Sequence, residues 1–558
     1  MLRSPRYSRR PVPRQSGGTF SRGEALRRLS EEHFDVVIIG GGITGAGCLL
    51  DAASRGLSAA LIEKDDFASG TSSKSSKLVH GGLRYLQQRR VVLVYEALAE
   101  RQRLLHNAPH LVRILPFLIP VFSTDGLINP KAARALGTAM WAYDLTGGLR
   151  IGKKHQRLSA GAALELFPTL SPDRLDHGYI YYDCETDDAR LTLAVVRTAV
   201  LDFGAVAANR ATATGILKSA SGKCRGVVVE TTEGDSFDIS CDTVISAAGV
   251  WSDEVRSLDE QDAAARLRPA KGIHVGVPRE IFANEVAAVV PVSGDKRSVF
   301  IIPWEKITYL GTTDTDYEGD IDNPSSTLDD VEYLLKAAND NTSANVGLDD
   351  IVSVWSGLRP LVKDSKSQST ADMSRRHSIT TSPSGVVSVV GGKLTTYRKM
   401  ASDAVDEVLQ HLDRDDAGLS RTLNLKLRGA PEEAPEKVSE KNTEKTTEKN
   451  TVGRYGTEEA QVHALAETDP ALSQPMHEDL PYIMAEATYA ARFEMAVTLD
   501  DVLSRRTRAR LQNARASADA APAVAELLAG DLGWSQERTK DEIERYRRSV
   551  ETEMCDWR

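Results

Sequence analysis

The stretch FDVVIIGGGITGAGCLLDAASRGLSAALIEK, residues 34–64, decides the fold of the first part of the chain. Residues 36–39 form a short apolar run typical of a buried strand, and residues 43–55 have helical periodicity that ends before Gly56. Residues 58–63 have the pattern of a second strand that ends in an acid. The order strand, helix, strand predicts a βαβ unit.

Three glycines between the first strand and the helix, Gly40, Gly42 and Gly45, have the spacing G-x-G-x-x-G. This spacing permits a tight turn, close approach of the backbone to a pyrophosphate, and close packing of helix on strand. The phosphates would lie at the helix N-terminus, where backbone N–H groups point outwards. Glu63 is placed to accept a hydrogen bond from an adenosine ribose hydroxyl. The unit predicts dinucleotide binding but does not distinguish NAD from FAD.

Two later segments favour a flavin protein. DTVISAAGVWSD, residues 242–253, and GVVSVVGGKLTTYRKMASDAVDEVL, residues 385–409, each contain a strand followed by a turn of small residues. The second segment continues into a helix that begins near Thr395. If both strands return to the first sheet, the nucleotide-binding domain is discontinuous, an arrangement that is usual in two-domain flavoenzymes.

The sequence between these segments predicts a second, mixed sheet. Residues 298–303 and 307–312 have the pattern of a hairpin, and residues 188–203 have that of an amphipathic helix. This helix is followed by strand patterns around Ala205 and Val227. We expect these strands to belong to the substrate-binding sheet.

The composition is that of a globular protein. A chain of 558 residues is too long for one core and predicts two or three domains. Its net charge of −10 argues against general nucleic-acid binding. The 5 cysteines form no CxxC pair or metal-binding spacing, which suits a reducing compartment and predicts no metal site. The richest apolar run, residues 114–122, is far shorter than the roughly 18 residues of a membrane-spanning helix.

Two segments lack the pattern of a core. Residues 1–33 form a basic arm that we expect to be a disordered tail, with weak contact to anionic lipid as the alternative. Residues 430–451 contain near-copies of Glu-Lys-x-Thr and are expected to form a flexible linker. Helical patterns resume after the linker and predict a C-terminal helical domain over residues 452–558.

Several long motifs follow one another along the chain. They are GGGITGAG at 40–47, ASGTSSKSSKLVHGGLRYL at 68–86, GTTDTDYEGD at 311–320, SGLRPL at 356–361, GGKLTTYRKMA at 391–401 and VTLDDVLSRRTR at 497–508. Together they resemble the FAD-dependent, respiratory glycerol-3-phosphate dehydrogenase family. The resemblance covers residues 34–410 by motif. It implies an α/β fold, in which an FAD-binding Rossmann-like domain is interleaved with a mixed-sheet substrate domain, and a C-terminal α-helical domain.

The resemblance also implies a reaction, a step in glycerol metabolism. sn-Glycerol 3-phosphate is oxidised to dihydroxyacetone phosphate as hydride passes from C2 to flavin N5, and the electrons pass to membrane quinone. A dianionic phosphate requires fixed cations, and the planar fork of arginine suits phosphate oxygens. By resemblance Arg84, Arg359 and Arg375 line the substrate pocket, with Tyr85 beside Arg84. The SRRH context of Arg375 departs from the family pattern.

FAD is the cofactor that the resemblance implies. Beyond the βαβ unit it assigns these cofactor-binding residues: Thr71, Ser72, Ser76, Gly81, Gly82, Gly249, Gly392, Lys393, Leu394 and Thr395. Glycines let the main chain approach the ring where a Cβ would collide. Lys393 places positive charge near the flavin pyrimidine or the substrate, and either position stabilises an anionic reduced flavin.

Oxidation of the alcohol also requires a base for the hydroxyl proton. His274, in AKGIHVGV, matches the family's pocket histidine and is the preferred base, since a neutral imidazole titrates near pH 6.5. His80 is its competitor, and an arginine-assisted or water-assisted transfer is a further alternative. Arg359 and Lys393 complete the predicted catalytic group.

Three alternatives to the dehydrogenase are weighed. They are a glycerol-3-phosphate oxidase that uses O2, an amine or amino-acid oxidase, which the arginine motifs disfavour, and a flavin-binding protein without catalysis. The quinone partner implies a cytoplasmic protein held peripherally at the cytoplasmic face of the membrane, through apolar and basic surface. The oligomeric state stays open, with a homodimer as one option.

Overall fold

The computed structural model describes residues 20–82, 91–124, 126–127, 140–141, 143–144, 152–261, 265–295, 297–363, 377–432 and 453–555. Most of the predicted arm and most of the predicted linker lie outside the described residues. The described chain folds into two sheets with helices packed on them, followed by a group of C-terminal helices. This is the mixed α/β class that the sequence predicts.

The strands are numbered in chain order. They are β1 (His33–Ile39), β2 (Ala59–Ile62), β3 (Leu78–Val79), β4 (Val112–Phe122), β5 (Gln156–Ser159), β6 (Leu175–Thr186), β7 (Val206–Ala208), β8 (Ala211–Lys218), β9 (Cys224–Thr231), β10 (Ser236–Ser246), β11 (Leu267–Pro278), β12 (Ala287–Pro291), β13 (Ser298–Trp304), β14 (Ile307–Gly311), β15 (Thr315–Asp316), β16 (Ser353–Val362), β17 (Ser378–Thr381) and β18 (Val387–Val390).

The α-helices are numbered in the same way. They are α1 (Arg22–Glu31), α2 (Ile43–Ser54), α3 (Val91–Asn107), α4 (Ala160–Leu166), α5 (Asp188–Phe203), α6 (Ser252–Asp259), α7 (Leu328–Asn339), α8 (Tyr397–His411), α9 (Glu459–Thr468), α10 (Met484–Phe493), α11 (Ala509–Gln512), α12 (Ala514–Leu532) and α13 (Gln536–Cys555).

The first sheet has the strand order β17-β18-β10-β1-β2-β7, with β8 and β9 added to β10. β1 pairs in parallel with β10 on one side and with β2 on the other, and β18 continues the parallel pairing next to β10. The apolar residues of β1 are buried, as expected for a parallel strand covered on both faces. Both later segments therefore return to the first sheet, which meets the condition for a discontinuous nucleotide-binding domain.

Helix α2 packs against α5 and α8 on one face of this sheet. Small residues permit this close packing. A Cβ on Gly47 would lie 2.8 Å from the ring of Tyr397, the first residue of α8. The resulting apolar core joins Leu49, Val196 and Val405, all fully buried.

The strands around Ala205 and Val227 belong to the first sheet, so their predicted place in the substrate-binding sheet is wrong. β7 pairs in parallel with β2, and β9 pairs antiparallel with β10. Helix α5 leaves β6 of the second sheet and returns the chain to the first. An apolar pattern predicts a strand, but it does not indicate which sheet the strand joins.

Disorder of the whole basic arm is also wrong, because its last part forms helix α1. Ala25 and Leu29 are buried on one face of this helix, which packs against β7 and β10. On the exposed face Arg27 pairs with Glu24, and Arg28 pairs with Glu32 at 2.7 Å. The i, i+4 spacing of these two apolar residues indicates an amphipathic helix, which a prediction based on charge alone missed.

The second sheet has the order β15-β11-β14-β13-β12-β4-β6-β3, with β16 added to β11 and β5 to β6. β13 and β14 form the predicted hairpin, in which Ile302 lies opposite Tyr309. β11 lies between β14 and β16 and pairs antiparallel with both. Helix α7 packs on the same sheet, and its first turn has a capping box between Thr327 and Asp330.

The C-terminal residues form helices α9 to α13 and a π-helix, Asp501–Arg506. Their buried side chains are continuous with the core of the second sheet. None of the described helices is both long enough and apolar enough to cross a bilayer.

Candidate cofactor and substrate site

A cavity of about 390 Å³ lies where β1, β2, β10 and β18 of the first sheet end. Its wall includes residues that directly follow these strands, among them Gly40, Glu63, Ala247 and Gly391. Ligands of open α/β sheets bind at the carboxyl ends of the strands. The cavity therefore has the position of a dinucleotide site.

The glycine spacing of the βαβ unit has a steric basis in this structure. Gly40 has a φ of +111°, and a Cβ there would lie 2.7 Å from the carbonyl oxygen of Ala247. A Cβ on Gly45 would collide with the carbonyl oxygen of Gly40. Because both neighbours are backbone atoms, neither position accepts a side chain without movement of the sheet.

The N-terminus of α2 points at the cavity. Gly42 is the residue that precedes the helix, and Gly42, Ile43 and Thr44 all line the wall. Ser72 accepts a hydrogen bond from the Ile43 amide at 2.9 Å, so it caps the helix. The remaining amides and the helix dipole favour a negatively charged group at this end.

Glu63 lies at the end of β2 and lines the cavity. Its carboxylate accepts hydrogen bonds from the Gly41 amide at 2.6 Å and from the Asp65 amide at 2.8 Å. Burial nevertheless raises the pKa of Glu63 to about 7. Each carboxylate oxygen has a second lone pair, so a ribose hydroxyl has an acceptor here.

Nine residues predicted to bind the cofactor line the cavity. They are Gly40, Gly42, Glu63, Thr71, Ser72, Gly249, Gly392, Lys393 and Leu394. Sequence reasoning missed other parts of the wall. Lys64 and Trp251 lie on it, with the Lys64 ammonium 4.3 Å from the centre of the Trp251 ring, and both donate to Asp322. Lys64 lies close to the end of β2, and Trp251 ends the 3-10 helix that follows β10, so nearness to the strand ends was the available signal.

Gly81 and Thr395 have contacts that differ from the prediction. A Cβ on Gly81 would collide with Leu98 of α3, so this glycine is needed for packing, and its amide donates to Asp183 at 3.1 Å. Thr395 accepts a hydrogen bond from the His80 amide at 3.1 Å and thus connects the segment around His80 to the start of α8. Gly82 has a φ of +74°. Their contact with FAD stays a prediction.

His274 lies on β11 inside an aromatic enclosure. Its ring stacks on Trp355 with centres 4.9 Å apart and an angle of 10°, and meets Tyr309 edge-on. Nε2 hydrogen-bonds Ser76 Oγ at 2.8 Å, whereas Nδ1 is buried and has no hydrogen-bond partner among the described residues. Burial, with the charges of Lys77 and Arg359, holds the pKa of His274 well below its ordinary value.

Arg359 lies on β16, next to the cavity residue Pro360. Its guanidinium donates to Asp314 at 3.2 Å and to Thr312 Oγ1 at 3.2 Å. A Cβ on Gly272 would lie 2.5 Å from Nη2, so the side chain covers this glycine, two residues before His274. Residues two apart on a strand share a face, so Arg359 and His274 lie on the same face of the second sheet.

Three predicted substrate residues, Arg84, Tyr85 and Arg375, lie outside the described residues. Sequence reasoning did not single out Asp314, although it belongs to the quoted motif GTTDTDYEGD. Its carboxylate holds the Arg359 guanidinium in place and lowers the net charge of the site.

The residues present fit FAD. The cavity wall combines Glu63 after β2, the residues at the N-terminus of α2, and Lys393 after β18, a set of groups that suits a dinucleotide. A helix N-terminus and glycines without room for a Cβ suit a pyrophosphate. Lys393 supplies a cation in the same wall.

We expect Gly45→Ala to weaken FAD binding by about 10-fold or more, because the new Cβ displaces the backbone of Gly40 and overpacks the turn. The dissociation constant is measured from quenching of FAD fluorescence during reconstitution. Gly161→Ala is the control, since nothing lies within 4 Å of its Cβ position. Equal FAD affinity in the two variants would contradict the steric argument.

Comparison with known proteins supports this site. Residues 35–398 match the family described as FAD dependent oxidoreductase, and residues 420–539 match the C-terminal domain of alpha-glycerophosphate oxidase. A glycerol-3-phosphate dehydrogenase 2 of Mycobacterium tuberculosis is 38% identical over 550 residues, which is 97% of this chain and 92% of that protein. The mitochondrial glycerol-3-phosphate dehydrogenase of Homo sapiens is 35% identical over 571 residues, 98% of this chain and 76% of that protein.

A solved structure is similar over almost the whole length. The glycerol-3-phosphate dehydrogenase of Bacillus halodurans, complexed with FAD, superposes with a TM-score of 0.77 at 31% identity, covering 96% of this chain and 97% of that one. The L-alpha-glycerophosphate oxidase of Mycoplasma pneumoniae, at 18% identity and a TM-score of 0.53, shares the fold. The sequence matches cover nearly the whole chain, and the glycine-lined cavity and the two sheets are consistent with them. The chain therefore belongs to the family of FAD-dependent glycerol-3-phosphate dehydrogenases.

Proposed function

We propose that this enzyme oxidises sn-glycerol 3-phosphate to dihydroxyacetone phosphate with FAD as its cofactor. The observation that carries the proposal is the placement of Arg359 and His274 on one face of the second sheet, with Pro360, the residue after Arg359, in the wall of the cavity. A fixed cation and a neutral base beside a flavin site are what a phosphorylated secondary alcohol requires.

Arg359 binds the phosphate of the substrate. Its guanidinium stays charged at all working pH values, and hydrogen bonds to Asp314 and Thr312 hold its plane in a fixed orientation. Arg84, Tyr85 and Arg375 are proposed to complete the phosphate pocket. Lys393 adds positive charge to the wall of the cavity.

His274 takes the proton of the C2 hydroxyl. The imidazole is neutral at pH 7 because burial and two nearby cations disfavour its protonated form. Ser76 fixes the ring through Nε2, and stacking on Trp355 fixes its plane. Bound FAD supplies the acceptor for the hydride that leaves C2. His80 is the alternative base.

The first experiment is anaerobic mixing of the FAD-loaded enzyme with glycerol 3-phosphate while the visible flavin absorbance is recorded. Bleaching by glycerol 3-phosphate, but not by glycerol or an amino acid, is the expected result. If FAD is bound and glycerol 3-phosphate leaves the spectrum unchanged, the proposed substrate is wrong.

The electron acceptor is proposed to be membrane quinone. The name dehydrogenase of the curated relatives supports it, whereas the match of residues 420–539 to a domain of an oxidase favours O2. We expect the reduced enzyme to be reoxidised at least about 100-fold faster by a soluble quinone than by dissolved O2 at equal concentration, a difference that a barrier change of about 2.7 kcal/mol produces. Stopped-flow absorbance measures both rates, and a faster reaction with O2 would assign an oxidase.

Contact with the cytoplasmic face of a membrane is proposed to be peripheral. Val92 and Tyr95, on the first turns of α3, are exposed apolar side chains at 71% and 51%. Flotation with anionic and with neutral vesicles, at low and high salt, tests this contact. Homodimerisation is proposed as well, and sedimentation of the purified enzyme measures it.

A further inference from the structure

The motif VTLDDVLSRRTR lies in the C-terminal domain, and the proposed reaction gives it no role. We propose that Arg508 of this motif is a positioning residue for FAD. Its side chain binds one side of a turn, and the opposite side of the same turn forms part of the cavity wall. The turn is a 3-10 helix, Thr71–Ser73. The proposal requires FAD in the cavity, and it does not require glycerol 3-phosphate as the substrate.

Arg508 is buried, with 1% of its surface exposed, and it reaches out of its own domain. Nη2 donates to the carbonyl oxygen of Ser73 at 2.7 Å and to Asp188 Oδ1 at 3.2 Å. Its backbone has a φ of +70°, in the left-handed region that side chains other than glycine rarely adopt. An unfavourable backbone conformation at a buried charged residue indicates a constraint other than helix stability.

The front of the same turn faces the cofactor. Thr71 and Ser72 line the cavity. Ser72 caps the α2 N-terminus, which is the pyrophosphate end, through the Ile43 amide. Thr71 donates to the carbonyl oxygen of Leu358 at 2.6 Å, directly before Arg359. The turn therefore joins the cofactor-binding helix to the strand that carries the proposed phosphate ligand.

The residues that follow the turn are held by the partner of Arg508. Ser75 donates to Asp188 Oδ2 from its amide at 3.0 Å and from its hydroxyl at 2.6 Å. Lys77 Nζ donates to the Ser73 carbonyl at 3.2 Å, next to the bond from Arg508. Ser76, between them, reaches His274. Loss of Arg508 thus loosens a chain of contacts that runs from the cofactor to the proposed base.

Two neighbouring arginines of the motif bind the other end of the loop that runs from residue 66 to residue 73. Arg505 pairs with Asp66 at 2.6 Å, and Arg506 pairs with the same carboxylate at 2.8 Å. Both cations are buried, and with further hydrogen bonds they hold the pKa of Asp66 below its ordinary value although burial acts in the opposite direction. The motif therefore binds the loop at residue 66 and again at residue 73.

The test compares Arg508→Met with Arg510→Met, and Arg508→Lys serves as the conservative variant. Arg510 is a matched control because it is also largely buried and bonds Glu553 at 2.6 Å and Ser549 at 2.9 Å inside the C-terminal domain. The readouts are the FAD dissociation constant, the visible circular dichroism of bound FAD, and amide hydrogen exchange of residues 69–79. None of these readouts depends on turnover.

We expect Arg508→Met to weaken FAD binding by about 10-fold or more, the effect of losing a hydrogen bond from a charged donor, and to speed exchange in residues 69–79. Arg510→Met is expected to leave both near the wild type, and Arg508→Lys to lie between. If Arg508→Met does not fold, Arg508→Lys against Arg510→Lys carries the same comparison. Equal effects at positions 508 and 510, or none at either, would overturn the proposal. A wild type that binds FAD but is not reduced by glycerol 3-phosphate would refute the proposed function alone.

Discussion

Arg359→Met is expected to raise the KM for glycerol 3-phosphate by about 100-fold or more, because the charge-assisted contact between a fixed guanidinium and the phosphate is lost. The FAD content is expected to stay at the wild-type level, since the guanidinium lies on the second sheet and does not line the cofactor cavity formed by the described residues. Steady-state rates over a range of substrate concentrations measure the change.

Arg268→Met is the matched control for this result. Arg268 lies on β11 of the same sheet, pairs with Asp316 and is partly exposed at 36% of its side chain. Its loss is expected to leave KM unchanged. If Arg359→Met and Arg268→Met have the same KM as the wild type, the phosphate is bound elsewhere and Arg359 only supports the sheet.

His274→Asn is expected to slow flavin reduction by glycerol 3-phosphate by about 100-fold to 10,000-fold, the usual contribution of a general base. Asparagine keeps a polar group near Ser76 but has no proton-accepting nitrogen at this pH. Anaerobic stopped-flow absorbance gives the rate constant for reduction. If flavin reduction in His274→Asn proceeds at the wild-type rate and is lost in His80→Asn, the base is His80.

The pH dependence gives a second test of His274. Burial, Lys77 and Arg359 hold its folded pKa well below the ordinary 6.5, so the imidazole is neutral from pH 6.5 upwards. We therefore expect the reduction rate to change little over this range on account of His274. As pH falls below about 6.5 the unfolded chain binds a proton that the folded chain does not, so the free energy of unfolding falls. His274→Asn is expected to lose this part of the slope in denaturation experiments at several pH values.

The sequence predicted the parts of the fold that have strong local patterns. The βαβ unit at residues 34–64 combines strand and helix periodicity with glycines in a turn that has no room for a Cβ atom. The return of β10 and β18 to the same sheet was stated only as the condition for a discontinuous domain, since a small-residue turn after a strand does not indicate which sheet the strand joins. The position of β7 and β9 was wrong because pairing between strands depends on contacts far apart in sequence.

Many residues of the cavity wall were predictable because they belong to motifs with a strong local pattern. The residues that hold these wall residues in place were not predictable. Ser72 was assigned to the cofactor from the motif that contains it, but its bond to Ile43 shows that it caps a helix. Asp314 and Arg508 contact residues distant in sequence, Arg359 and Ser73, so no spacing rule indicates them. Burial is equally hidden, as the enclosure of His274 by Trp355 and Tyr309 illustrates.

The discontinuity of the first sheet has a consequence for biosynthesis. β1 and β2 are synthesised early, but β10 and β18, which complete the cofactor cavity, end only at residues 246 and 390. Until β10 has been synthesised, one edge of β1, a row of backbone N–H and C=O groups within an apolar strand, has no native partner on the ribosome. We therefore expect FAD to bind late in translation or after it, and chaperones that cover strand edges to bind the nascent chain after β2 and before β10 is complete.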